Sequence, residues 1–264
     1  MNWYIRVRTE EQLETAARWE HLHGLLLDGD LAYGSFPQLQ GKGWRIFRCL
    51  PEVARESRLH LIRPMIRDLP DPWGLVVRNL DELGMLQQMG YQGPLIGDSW
   101  LYAYNSQAVR FCLDLFPDML LICSDELTDR ELDQIRTGHG RMIMKVYGHQ
   151  PLMITNQCIN RNISGCREKA RWFSDSHKER FLTLSHCRQC YNIIYNGKPT
   201  WMLDRLEQIR YENVLLDLTV EDARDTAEIL RLAVSAGTEP EQEGKVRIPG
   251  RESYTRGHHI KGIE

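Results

Sequence analysis

Four cysteines in the second half of the chain carry its most specific chemical signal. Cys158-Ile-Asn-Arg-Asn-Ile-Ser-Gly-Cys166 supplies one spaced pair and His186-Cys187-Arg-Gln-Cys190 a Cys-x-x-Cys pair. Four soft thiolates gathered by a short fold suit one inorganic centre, and spacing alone does not choose between structural zinc and an iron–sulfur cluster. His177 and His186 are near enough in sequence to replace a cysteine as ligand. A thioredoxin-like dithiol normally opens a helix after a strand. Here Tyr191-Asn-Ile-Ile-Tyr-Asn196 follows as a strand-like run, which argues for a metal site over dithiol exchange. The other three cysteines, Cys49, Cys112 and Cys123, sit in apolar elements. An odd total of seven speaks against a disulfide framework and for a reducing, cytoplasmic setting.

A second set of chemically capable residues ends short apolar runs. Asp28, Asp30, Pro51, Arg78, Asn79, Asp98, residues 124–126, residues 147–149 and Asp217 all occupy such places. Turn and cap duty explains any single Asp, Asn or Ser there. Arg78, Glu126 and His149 have long or titratable side chains that capping does not need, and with Asp98 they are the candidate substrate contacts. Neither a Gly-x-Ser-x-Gly elbow nor a His-Glu-x-x-His motif occurs. A cysteine protease would need Cys49 or Cys123 to act with His149, and both are placed as ordinary core thiols.

These residues need a scaffold, and the hydrophobic pattern supplies one. Eight apolar runs read as strands, at 4–8, 25–27, 45–49, 74–78, 94–97, 119–123, 142–147 and 214–218. Stretches of period near 3.6 follow most of them, at 11–20, 81–90, 106–116, 129–137 and 220–235. Thr9 with Gln12, Asn105, Thr128 and residues 219–222 offer helix starts. The second unit has only 36–39 as a helical candidate, among Gly34, Gly41 and Gly43, so that crossover is short or irregular. The pattern predicts an α/β fold, a TIM-like (β/α)8 barrel with a cysteine-rich insertion between strands 7 and 8. An insertion there lies on the C-terminal face, where such barrels carry their active sites.

The domain reading is one barrel over 1–237, including the insertion at 156–200, then a linker and C-terminal tail over 238–264. A chain of 264 residues, 42% hydrophobic, is long enough for that core. Its formal charge of -3 gives no global basic field, so contact with RNA must be local. From Cys158 to Cys190 seven basic residues outnumber three acids, with Trp172 and Phe173 between them. That segment reads either as a solvated helix face or as a patch for an RNA backbone or anionic metabolite. No apolar stretch approaches membrane-spanning length.

Taken together, several of these motifs resemble peptidase family U32. They are Asn105-Ser106 after Gly97-Asp98, Cys123-Ser-Asp-Glu-Leu127, Tyr147-Gly-His-Gln-Pro-Leu-Met153, the Cys158/Cys166 pair, and Cys187-Arg-Gln-Cys-Tyr-Asn-Ile-Ile-Tyr-Asn-Gly-Lys-Pro199. Tyr254-Thr-Arg-Gly-His258-His259 resembles the family's closing Thr-x-Gly-His motif, and His258 would reach the barrel mouth if the tail docks. The resemblance covers nearly the whole chain and is strongest to the C-terminal part of longer bacterial members. It implies one of two activities: collagenase-like proteolysis, or oxygen-independent hydroxylation of an RNA base or quinone ring with a 4Fe-4S cluster. Cys158, Cys166, Cys187 and Cys190 fall on the family's cysteine motif, which moves the cluster ahead of Zn. The partners implied are RNA, or a second U32-family chain or domain. The family's Glu-Phe signature ahead of a Gly-small-apolar-Cys run is absent here. A noncatalytic binding module with a structural four-cysteine site is therefore the third reading.

Overall fold

The computed structural model describes residues 1–135, 139–158, 161, 165, 170–235 and 254–259. Eight parallel strands close on themselves: β1 (Asn2–Val7), β2 (Leu22–Leu27), β3 (Arg45–Cys49), β4 (Gly74–Val77), β5 (Leu95–Gly97), β6 (Leu120–Ile122), β7 (Met142–Thr155) and, last, β11 (Asn213–Asp217). β11 lies between β7 and β1 and completes the barrel. Three more strands, β8 (Arg171–Ser174), β9 (Arg180–His186) and β10 (Tyr191–Trp201), extend β7 as an antiparallel sheet. The expected TIM-like barrel and its insertion between the seventh and eighth barrel strands are both present.

Helices α1 (Glu10–Ala16), α2 (Leu59–Arg67), α3 (Leu80–Gln88), α4 (Ser106–Leu115), α5 (Asp129–Gln134) and α6 (Ala223–Ser235) cover the barrel. Thr9 and Thr128 close capping boxes with Gln12 and Glu131, while Asn79 and Asn105 cap α3 and α4. α2 was not foreseen. It contains Pro64 and starts without a side-chain cap, and its buried stripe of Ile62, Met65 and Ile66 holds it on the barrel instead. After β2, two 3-10 turns, Gly29–Tyr33 and Pro37–Leu39, replace the helix, as the glycine-rich context foretold.

Strand parity builds two layers inside the barrel. Tyr4, Leu26, Phe47, Val76, Ile96, Leu120, Ile143 and Leu215 pack together as an apolar interior, separate from the outer layer between strands and helices. One inward step toward the C-terminal rim, two residues along six of the eight strands, stand Arg6, Asp28, Arg78, Asp98, Lys145 and Asp217, all buried, while β3 and β6 place Cys49 and Ile122 there. The same alternation that makes the hydrophobic floor thus places a charged layer above it.

In its described part, the basic segment is mainly strand and not the helix face considered above, since residues 171–174 and 180–186 are strands; Arg167 and Lys169 lie outside the described residues. Trp172 packs edge to face on His149, and the Arg180 guanidinium lies over the Trp172 ring, 4.6 Å from its centroid. Among the described residues no helix is long and apolar enough to cross a membrane. Residues 254–259 of the tail dock beside the barrel: Thr255 bridges to Thr200, and Arg256 pairs with Asp204 at 2.5 Å.

Candidate functional site

The charged layer is a single buried network. Arg78, fully buried, pairs through Nη1 with Glu52 Oε1 at 2.6 Å, through Nε with Asp98 Oδ2 at 3.1 Å, and through Nη2 with Asp28. Arg6 joins Asp98 at 2.7 Å and Asp217 at 2.9 Å, and Arg8 reaches Asp28 at 2.9 Å. Burial opposes every one of these charges. In Asp28, Asp98 and Glu52 the neighbouring guanidiniums overcome it and hold the carboxyls below their ordinary values. In Asp217 burial prevails and raises the carboxyl. Glu82 accepts the Arg78 amide at 2.7 Å from beneath, and burial raises its carboxyl to about 8. Such networks contribute little net stability when intact, but removing one partner strands the other.

Above this layer opens a cavity of about 340 Å³, lined by Arg8, Asp28, Glu52 and Arg78 from the barrel and by His186, Gln189 and Tyr191 from the β9–β10 hairpin, among others. The Cys187–Cys190 pair forms the tip of that hairpin, where the His186 carbonyl accepts from the Gln189 amide at 3.2 Å and the Cys190 amide at 2.7 Å. Cys190 takes a left-handed φ of 60° to close the turn. The two middle residues bolt the tip to the irregular segment after β2. Arg188 pairs with Asp30 at 2.7 Å and lies over Tyr33, and Gln189 donates to the Tyr33 hydroxyl at 2.9 Å. The pair is therefore a hairpin knuckle and does not open a helix.

Cys158, Cys187 and Cys190 line a second cavity of about 330 Å³. Ser185, His186 and Tyr191 line both cavities and form the wall between them. The His186 and Tyr191 rings stack at 4.7 Å, and the Tyr191 hydroxyl donates to Glu52 Oε2 at 2.5 Å. The Arg161 amide donates to Cys158 Sγ at 3.3 Å. Cys166, the fourth expected ligand, lies outside the described residues. Among the described residues no group of three His, Cys, Asp or Glu side chains is set to hold a single metal ion. The three thiols instead border a common space, and soft sulfur donors around such a space suit a thiolate-held centre.

The other expected contacts are spread over the rim. Arg78 lines the mouth cavity, while Asp98 stands behind it, between Arg6 and Arg78. Glu126 lines a separate shallow pocket with Tyr102, Tyr104 and Gln150. His149 is buried; its Nδ1 meets the Asn196 carbonyl at 2.6 Å and its Nε2 lies 3.6 Å from Glu221. His258 is half-buried in the docked tail, and its neighbour His259 is the one that pairs, with Asp129 at 3.0 Å. Cys49 lines the mouth cavity and Cys123 is buried, and burial pushes both thiols up, away from the reactive thiolate. Arg6, Arg8, Glu52, Tyr191 and Glu221 were not singled out from sequence. The inward parity of β1 points to Arg6 and Arg8, and nothing local points to Glu52 or Tyr191.

The chain matches no protein-family model, and no curated protein sequence matches it.

Proposed function

We propose that this chain is an iron–sulfur enzyme or enzyme subunit of the U32 type, acting in oxygen-independent hydroxylation of an RNA base or a quinone ring in the cytoplasm. The observation that carries the reading is the shared wall. A cavity bordered by three cysteines of the four-cysteine motif meets, through His186 and Tyr191, a mouth cavity floored by a buried arginine–carboxylate network.

Cys158, Cys187 and Cys190, with Cys166, would hold a 4Fe-4S cluster; Zn is the alternative occupant of the same thiolates. A bound cluster supplies one-electron chemistry. The remaining tasks fall to the chain itself. Arg78 and Arg8 present fixed positive charge to the mouth cavity, and Asp28, Glu52 and Asp98 hold those guanidiniums in place. The hairpin tip borders the cavity on one side through His186, Arg188, Gln189 and Tyr191. Proteolysis is the weaker reading, because burial keeps Cys49, the cysteine on the mouth cavity, in its thiol form.

The test is made in cells lacking the gene, grown without oxygen and complemented with the parent chain or with Cys187→Ala. Mass spectrometry of nucleosides and quinones should find one hydroxylated product lost and restored only by the parent. Unchanged profiles of both classes would sink the hydroxylation reading.

A further inference from the structure

A smaller recess on the C-terminal rim differs in chemistry from the mouth cavity. The segments after β5 and β6 and the outer half of β7 converge there, bringing Trp100, Tyr102 and Tyr104 together with Asp125, Glu126 and Pro151. Its described lining shares no residue with the mouth cavity and contains no lysine or arginine. Its volume of about 40 Å³ suits a side-chain head group and is too small for a whole metabolite.

Glu126 sets the charge of this recess. Asp125 is answered from within the barrel by the buried Lys145, whereas Glu126 has no basic partner among the described residues. The Glu126 amide donates to Ser124 Oγ at 3.1 Å, which fixes the turn that carries the half-buried side chain. Burial, and next the neighbouring Glu126 carboxylate, push the Tyr104 hydroxyl up, so the ring beside Glu126 stays neutral. A carboxylate without a counter-ion, walled by electron-rich rings, attracts a cation and repels phosphate.

The rings define which cation. Tyr102 is exposed and meets Tyr104 edge to face at 5.6 Å. Its φ of 52° is one that bulky residues rarely adopt, and it is held there by a bond from its amide to the Ser99 carbonyl at 3.1 Å and one from the Tyr104 amide to its own carbonyl at 2.8 Å. A planar guanidinium stacks on such a ring and offers two parallel N–H groups to one carboxylate, which an ammonium does not. Room for about three waters matches its four heavy atoms. Leu152 and Met153, both exposed, follow Pro151 directly and with Tyr102 give apolar ground beside the recess. Aromatic and arginine anchors at the centre of an apolar patch are the usual energetic focus of a protein interface.

We propose that this recess binds the arginine side chain of a partner protein, its guanidinium on Glu126 and against Tyr102, with apolar neighbours of that arginine on Leu152 and Met153. The site is independent of the iron–sulfur reading.

Ligand-observed NMR titration of the purified full chain tests the assignment with the peptide acetyl-Leu-Arg-Leu-amide, its citrulline and lysine counterparts, and methylguanidinium. The arginine peptide should bind saturably and more tightly than the other three. Glu126→Gln should weaken it by about tenfold, as expected for loss of a charge-assisted contact. Tyr102→Asn removes the ring, suits the left-handed backbone, and should weaken it by about two- to fivefold; it decides the matter if Glu126→Gln does not fold. Equal binding of the citrulline or lysine peptide, or unchanged affinity in both variants, would overturn the guanidinium site. Methylguanidinium binding as tightly as the peptide would overturn the protein partner, and displacement of the peptide by oligouridylate would give the surface to nucleic acid instead.

Discussion

Tyr191 donates its hydroxyl to Glu52 Oε2 at 2.5 Å and accepts from the Glu52 amide at 3.2 Å. This pair joins the cysteine hairpin to the rim of the barrel, since Tyr191 follows Cys190 directly and Glu52 holds Arg78 at 2.6 Å. Tyr191→Phe leaves two buried Glu52 groups short of a partner and should lower unfolding free energy by about 1–3 kcal/mol. Combining it with Glu52→Gln should give a coupling of about 0.5–3 kcal/mol in a double-mutant cycle by urea denaturation. Additive losses would mean that the hydroxyl contact does no work.

Glu82 gives the fold a pH dependence of defined sign. Its carboxyl titrates at about 8 in the folded chain, against 4.5 as an ordinary value. Between those limits the folded state keeps a proton that the unfolded chain releases. Its stability contribution is full below the lower value and is lost as pH rises to the upper one, by up to about 1.4 kcal/mol for each pH unit crossed. Asp28, Asp98 and Glu52, with lowered values, lose their contributions only as pH falls below the ordinary carboxylate range. Denaturation midpoints from acid to mildly alkaline pH should show Glu82→Gln gaining on the parent as pH rises. Parallel profiles would refute the buried, protonated carboxyl.

Gly148 sits where β7 leaves β11 for β10, pairing with both Asp217 and Thr200. At φ +148 an added Cβ would lie 2.8 Å from Asp217 Cβ and 2.9 Å from its carbonyl oxygen. Gly148→Ala should therefore cost about 1–3 kcal/mol through overpacking. A thermal midpoint equal to the parent's would show that the strand can shift at no cost.

The docked tail makes a local prediction. Arg256 neutralises Asp204, whose side chain is 2% exposed, and donates to the Trp201 carbonyl at 2.7 Å. The Trp201 amide reaches Thr255 at 3.0 Å and the Thr255 amide reaches Pro199 at 2.9 Å. Arg256→Ala should speed hydrogen exchange at those two amides and leave the Ile5 amide in the barrel unchanged. Unaltered exchange at Trp201 and Thr255 would show that the tail docks without this ion pair.

The barrel was legible because its signal is local and repeated: β3 falls on the expected 45–49, and the other barrel strands begin within three residues of their expected starts. The α2 helix was hidden by Pro64, which local propensity counts against a helix that tertiary burial of Ile62, Met65 and Ile66 supports. β8 and β9 were hidden by their arginines, since Arg171 and Arg180 mask the alternation of a two-stranded extension. At the site, the cysteines and Arg78 could be picked out by type. Glu52 and Tyr191 could not, because their meaning lies in a contact spanning 139 residues of sequence. Arg6 and Arg8 were within reach, as the polar continuation of inward positions on β1, but a strand read for its apolar residues hides the charges that share their face.

The iron–sulfur cluster proposed for Cys158, Cys166, Cys187 and Cys190 has a direct test. Protein purified without oxygen should contain iron and acid-labile sulfide in equal amounts and show a broad visible charge-transfer absorption, lost in Cys187→Ala/Cys190→Ala. A colourless protein containing one zinc per chain would contradict it.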